Sequence, residues 1–141
     1  MTDFWKRWLT VWAWGVIAFG LLLVGAGFAA TDTLAMETFR LFGVASFAPD
    51  AMHRFSIGLM GAVTMGWGIT YLAAFRALHL LSEPQAAPIW RNLTMGTLLW
   101  YVIDSWISVA NGVGMNAVSN TLLLVLFLIP VLRSGVMRMG G

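Results

Sequence analysis

The chain has 141 residues, 60% of them hydrophobic and only 10% charged. Soluble domains carry roughly 25% charged residues, so this chain cannot cover a water-facing surface in the usual way. Eight bases and six acids leave a net charge of only +2, too sparse to track a phosphate backbone, which excludes nucleic-acid binding. Cysteine is absent, which removes disulfides, thiol catalysis and thiolate metal sites together.

The first charge-free run covers residues 8–30, WLTVWAWGVIAFGLLLVGAGFAA. A helix needs about 20 residues to cross a hydrocarbon core of about 30 Å, so this run is long enough. Lys6 and Arg7 before it, and small residues at its end, would also suit a signal peptide. The run exceeds the roughly 7–15 residues of an h-region, however, and is expected to be an uncleaved anchor. Trp5, Trp8, Trp12 and Trp14 cluster at its start, as in an aromatic belt at headgroup level.

The segment 31–53 follows on the other side of the membrane. Within it, 33–42 (TLAMETFRLF) reads as a short interfacial or lidding helix. Asp32 or Thr33 would cap its start and Gly43 would end it. Leu34, Met36, Phe39 and Phe42 would form its apolar face, with Glu37 and Arg40 towards water.

Span two covers residues 55–75 and is rich in small residues. Gly58, Ala62 and Gly66 repeat every four, a face that lets another helix backbone come close, and Gly61 and Gly68 open a second face. Before span three, Ser82-Glu83-Pro84-Gln85 has a capping-box pattern, and Pro88 is expected at the helix start. Span three covers 88–111, with Arg91 near its start and Asp104 as its only acid. A short turn, 112–116, leads into span four at 117–132, so the last two spans form an antiparallel hairpin. The fold class is therefore an all-α membrane protein, a single domain of four transmembrane helices in a bundle.

Orientation follows from the bases. Lys6, Arg7, Arg76, Arg91, Arg133 and Arg138 fall on one side, while Arg40 and Arg54 are outnumbered by Asp32, Glu37 and Asp50 on the other. The positive-inside rule puts both termini in the cytoplasm of a bacterial-type inner membrane.

Asp104 is the first candidate for function, because an acid inside a span costs about 2.5–3.5 kcal/mol on insertion scales and so faces protein or water. Thr97, Tyr101, Asp104, Ser108 and Asn111 share one helical stripe, and Asn116, Ser119 and Asn120 bring polar groups to the start of span four. Two readings stand: a proton, cation or small-ligand site, or a buried network that fixes helix packing, with Arg54 as the nearest plausible cation. His53 and His79 are 26 residues apart, about 39 Å along a helix, so they cannot share a metal or a haem. One of them could still give a pigment its single axial ligand. Trp67, Trp100 and Trp106 fall within the hydrocarbon and would pack beside glycine or stack on a quinone or pigment. No metal site and no complete catalytic set is present in the sequence.

Small multidrug-resistance transporters depend on a glutamate in the first span, and four-span disulfide-generating quinone reductases need cysteines; neither fits. The layout resembles the DoxX-like group of small bacterial inner-membrane proteins. The features carrying it are four spans, a longer outer segment, GLMGAVTMGWG in span two, and WYVIDSWISVANG leading to NAVSN. Some members of that group are linked to quinone-coupled sulfur oxidation, but the likeness transfers no catalytic residue.

The expectation is a non-enzymatic accessory or structural subunit in the lipid bilayer, self-associating or packing against other membrane proteins, with an energy-transducing complex as one setting. The alternative is a small transporter or binding protein for a proton, a cation or a lipophilic ligand, quinone or pigment, centred on Asp104.

Overall fold

The computed structural model describes residues 1–44 and 48–138. Among these, all regular structure is helical: α1 (Asp3–Ala26), α2 (Thr33–Leu41), α3 (Ala51–Leu78), α4 (Glu83–Ala110) and α5 (Gly114–Arg133). Helices α1, α3, α4 and α5 are each long and apolar enough to cross a membrane. They occupy the four stretches expected from hydropathy, with ends shifted by up to five residues.

Local chemistry explains those shifts. Helix α1 stops at Ala26, short of Ala30, because the Gly25 carbonyl accepts the Thr31 hydroxyl at 2.8 Å while Gly27, Phe28 and Thr31 close successive turns. Helix α3 starts early because Asp50 caps it: its carboxylate accepts the His53 backbone N–H at 2.8 Å. The same carboxylate lies 2.8 Å from His53 Nδ1, and the two His53 hydrogen bonds hold the Asp50 carboxyl below its ordinary range. Helix α4 also starts early. Gln85 Oε1 accepts the Ser82 backbone N–H at 3.3 Å and its hydroxyl at 2.8 Å, the return arm of the expected capping box. Pro88 therefore lies inside the helix rather than at its start, where Pro84 takes the tolerated position.

The short α2 departs further from expectation. Asp32 is its N-cap by position but makes no side-chain cap bond, because its carboxylate is taken by Arg54 at 2.8 Å. Gly43 ends the helix as expected, at φ +88°, a conformation open to glycine. The most buried α2 residue is Ala35, while Leu34 is largely exposed, so the inward face is turned from the one the apolar spacing suggests. Glu37 and Arg40 are exposed and pair with each other.

The chain forms two compact units, one of Met1–Trp12 with Ala73–Gly141 and one of Ala13–Leu72. The core of the first is aromatic. Trp12 lies against Phe127 at 5.3 Å and Phe75 at 6.4 Å between ring centroids, and Phe75 stacks on Trp90 at 5.6 Å. Leu9, Ala87, Phe127 and Val131 are fully buried around them.

Two tryptophans expected to mark headgroup depth do something more specific in this unit. Trp8 Nε1 donates to the Leu126 carbonyl at 2.8 Å, and Trp12 Nε1 donates to the Leu123 carbonyl at 2.9 Å. The acceptor of Trp8 is dictated by sequence. Residue 130 is a proline inside α5, so the carbonyl four residues earlier has no helical N–H to accept. An unpaired carbonyl in an apolar setting is costly, and the indole of α1 supplies the missing donor.

The second unit packs α1 onto α3 through glycine. A Cβ at Gly61 would lie 2.5 Å from the Val24 backbone nitrogen, and one at Gly20 would lie 2.6 Å from the Met65 nitrogen. Gly58 faces Gly27, and Gly68 faces Ala13 and Ile17. The packed face therefore runs Gly58–Gly61–Gly68. The every-fourth-residue pattern meets α1 only at Gly58: Ala62 and Gly66 are exposed, and nothing lies within 4 Å of a Cβ at Gly66.

Candidate functional site

The site is built on the hairpin of α4 and α5. The hairpin is tight because Gly112 takes φ +76° and Val113 donates back to the Ser108 carbonyl at 2.8 Å. This geometry lays the last turns of α4 beside the first turns of α5. Asp104 and Ser108, one helical turn apart, then meet Asn116 and Asn120, also one turn apart.

The hydrogen bonds converge on one oxygen. Asp104 Oδ1 accepts Asn120 Nδ2 at 2.7 Å, Asn116 Nδ2 at 2.8 Å and the Ser108 hydroxyl at 3.3 Å. Asn116 Nδ2 also donates to Ser108 Oγ at 2.8 Å, and Ser108 Oγ donates to the Asp104 backbone carbonyl at 2.7 Å. Ser108 and Asn120 are buried, and Asp104 is half-buried. Every donor in this cluster comes from α4 or α5, so the network ties these two helices together.

Other residues of the expected stripe act elsewhere. Tyr101 shares a hydrogen bond with Thr121 at 3.0 Å, one turn further along the same seam. Asn111 is exposed and donates to the Ile107 carbonyl of its own helix. Thr97 is fully buried and donates to the Leu93 carbonyl, the usual recourse of a hydroxyl in an apolar helix. Ser119 likewise donates to carbonyls of its own helix. Arg54 makes its ion pair with Asp32 in the second unit and donates to the Ala26 carbonyl at 3.3 Å, where a cation suits a helix C-terminus. Two α4 hydroxyls that hydropathy and spacing did not single out, Thr94 Oγ1 and Ser105 Oγ, are buried without a hydrogen-bond partner.

The aromatic and histidine candidates also separate. Trp67 lies edge-on to Tyr71 at 5.1 Å, Trp100 is half-buried and Trp106 is mostly exposed. His53 sits in the first turn of α3, held by Asp50, and His79 directly follows the last residue of α3. Burial and the nearby Lys6 ammonium push the His79 imidazole below its ordinary pKa. Among the described residues, no group of three or more His, Asp and Glu side chains could hold a metal ion.

A cavity of about 390 Å³ lies in the first unit, between the start of α1, the α3–α4 connection and the residues after α5. Lys6, His79, Glu83, Ser134 and Arg138 are among its lining residues. In sequence, Lys6 and Arg138 served only as markers of orientation. A second depression, lined by Phe4, Arg7, Trp8, Val11, Trp12 and Leu126, is almost wholly apolar.

Comparison with family models, with curated proteins and with solved structures finds no match for this chain.

Proposed function

We propose that this chain is a non-enzymatic, multi-pass protein of a bacterial inner membrane that serves as an accessory or structural subunit packing against other membrane proteins. Both termini lie in the cytoplasm, on the side where six of the eight bases gather, and α2 lies along the outer interface.

The observation that carries this reading is how the intramembrane acid is used. Asp104 is answered by amide and hydroxyl donors from one helix hairpin, which suits a packing device. The Ser108, Asn116 and Asn120 donors each find an acceptor within the hairpin. A second support is the face of α3 turned away from α1. Ala62 and Gly66 lie open there beside exposed Leu59, Met60 and Val63, a surface on which another helix backbone could approach closely.

One observation favours a second reading, a small carrier or binding protein for a proton or cation. Asp104 Oδ2 has no hydrogen-bond partner among the described residues, whereas Oδ1 has three. Gentle extraction separates the two, with an absorption spectrum and identification of co-purifying proteins. The accessory reading expects a colourless chain recovered with a membrane partner. A chain recovered alone, whose Asp104 responds to an added cation, supports the carrier and overturns the accessory role.

A further inference from the structure

The cavity at the basic end of the first unit goes unused by the function proposed above. Its wall is built rather than incidental. The residues that follow α5 are strapped down by Arg91, whose Nε and Nη2 both donate to the Met137 carbonyl, at 3.0 and 2.8 Å. The strap brings Ser134 and Arg138 to the same cavity as Lys6 on α1 and His79 and Glu83 on the α3–α4 connection.

Several of these groups lack a partner inside the protein. Ser134 Oγ is buried with no hydrogen bond, an unusual state for a hydroxyl. The Arg138 guanidinium has no hydrogen-bond acceptor among the described residues. Lys6 has only Asp3, at 3.1 Å in an exposed pair, which leaves its ammonium free to exchange partners. Among the charged side chains lining the cavity, the basic Lys6 and Arg138 outnumber the acidic Glu83.

From this geometry we infer that the cavity is a binding site for a phosphodiester group, with Lys6 and Arg138 neutralising its charge and Ser134 Oγ donating to a phosphate oxygen. A phosphodiester carries one negative charge, which this surplus of basic side chains offsets. The volume of about 390 Å³ lies in the range of small-ligand sites, roughly 300–1,000 Å³. Arginine and lysine side chains with a hydroxyl donor are the usual recognition set for such an oxyanion. The group could belong to a phospholipid headgroup or to a free soluble phosphodiester. The lipid source rests on the four helices crossing a bilayer, and the soluble one does not.

Two probes test this with the full chain in an uncharged detergent. The first is glycerophosphoglycerol, a headgroup without acyl chains, titrated while the His79 imidazole resonance is followed. The second is native mass spectrometry of lipid retention, comparing phosphatidylglycerol with an uncharged digalactosyl lipid. We expect saturable binding of at least one phosphodiester and no comparable retention of the glycolipid. Binding by the soluble headgroup identifies a free phosphodiester as sufficient; binding by the intact lipid alone identifies the bilayer as the source. The paired change Lys6→Ala with Arg138→Ala is expected to weaken binding about tenfold or more, and Lys6→Arg with Arg138→Lys to preserve it. Equal retention of the two lipids by the unaltered protein, together with no response to the soluble headgroup, overturns the inference whether or not the variants assemble. Unchanged affinity in a folded Lys6→Ala, Arg138→Ala variant also overturns it.

Discussion

Replacing Trp8 with Phe removes the indole N–H and leaves the Leu126 carbonyl of α5 without a donor, because Pro130 supplies none. A buried polar group left unpaired costs about 1–3 kcal/mol, so Trp8→Phe should destabilise the fold by that amount. The cost should depend on residue 130. In a Pro130→Ala background the helix supplies the missing N–H itself, and Trp8→Phe then loses only the net value of a hydrogen bond, about 0.5–1.5 kcal/mol or less. Packing losses from shortening Trp8, and from the small void at residue 130, occur in both arms of the double-mutant cycle and cancel. The coupling that remains should be about 1 kcal/mol. Reversible unfolding in mixed micelles, followed by circular dichroism across the four proteins, measures it. A Trp8→Phe penalty of the same size with proline and with alanine at residue 130 would refute the reasoning.

Three further outcomes follow from the geometry. Asp104→Leu should strand the Asn120 amide, at about 1–3 kcal/mol, and leave the Asn116 amide only Ser108 Oγ, while Asp104→Asn keeps an acceptor and should assemble normally; thermal midpoints in detergent compare them. Gly61→Ala pushes a methyl into the α1 backbone and should cost about 1–3 kcal/mol, while Gly66→Ala meets nothing and should be neutral or stabilising by roughly 0.5–1 kcal/mol, read in the same unfolding assay. Burial and the Lys6 ammonium lower the His79 pKa, so the folded chain binds its proton less readily than the unfolded one. Stability from this residue is therefore present above its ordinary pKa of 6.5 and declines as pH falls below it; His79→Gln should flatten that part of the pH–stability curve.

Much of this architecture is legible in the sequence, because hydropathy reports which stretches suit a bilayer. The helix ends were less so. Hydropathy falls before a helix stops, and Asp50 and the Ser82–Gln85 pair extend α3 and α4 into polar sequence. The Asp104–Ser108 and Asn116–Asn120 spacings foretold the polar cluster, since a hairpin must bring one turn of each helix together. Tyr101 and Asn111 share the stripe yet bond elsewhere, because a stripe is wider than the seam it covers. Arg54 went to Asp32, a nearer carboxylate in the chain that spacing alone did not rank. On α3, small residues lie on two faces, and only the packing selects Gly61 and Gly68 over Ala62 and Gly66. The Trp8 contact had a signal, a proline inside an apolar span, which marks an unpaired carbonyl one turn earlier. Naming its donor needed the structure.

The accessory role is tested most directly by site-specific cross-linking in intact membranes, made simple by the absence of cysteine from the chain. A single cysteine or photo-reactive side chain at residue 62 or 66 is compared with one at residue 106, whose tryptophan is among the most exposed apolar groups of α4. The account predicts a discrete protein adduct of fixed mass from the open α3 face, weakened by Gly66→Leu with no loss of stability. Lipid adducts alone from residues 62 and 66, in a chain that also purifies by itself, would contradict it.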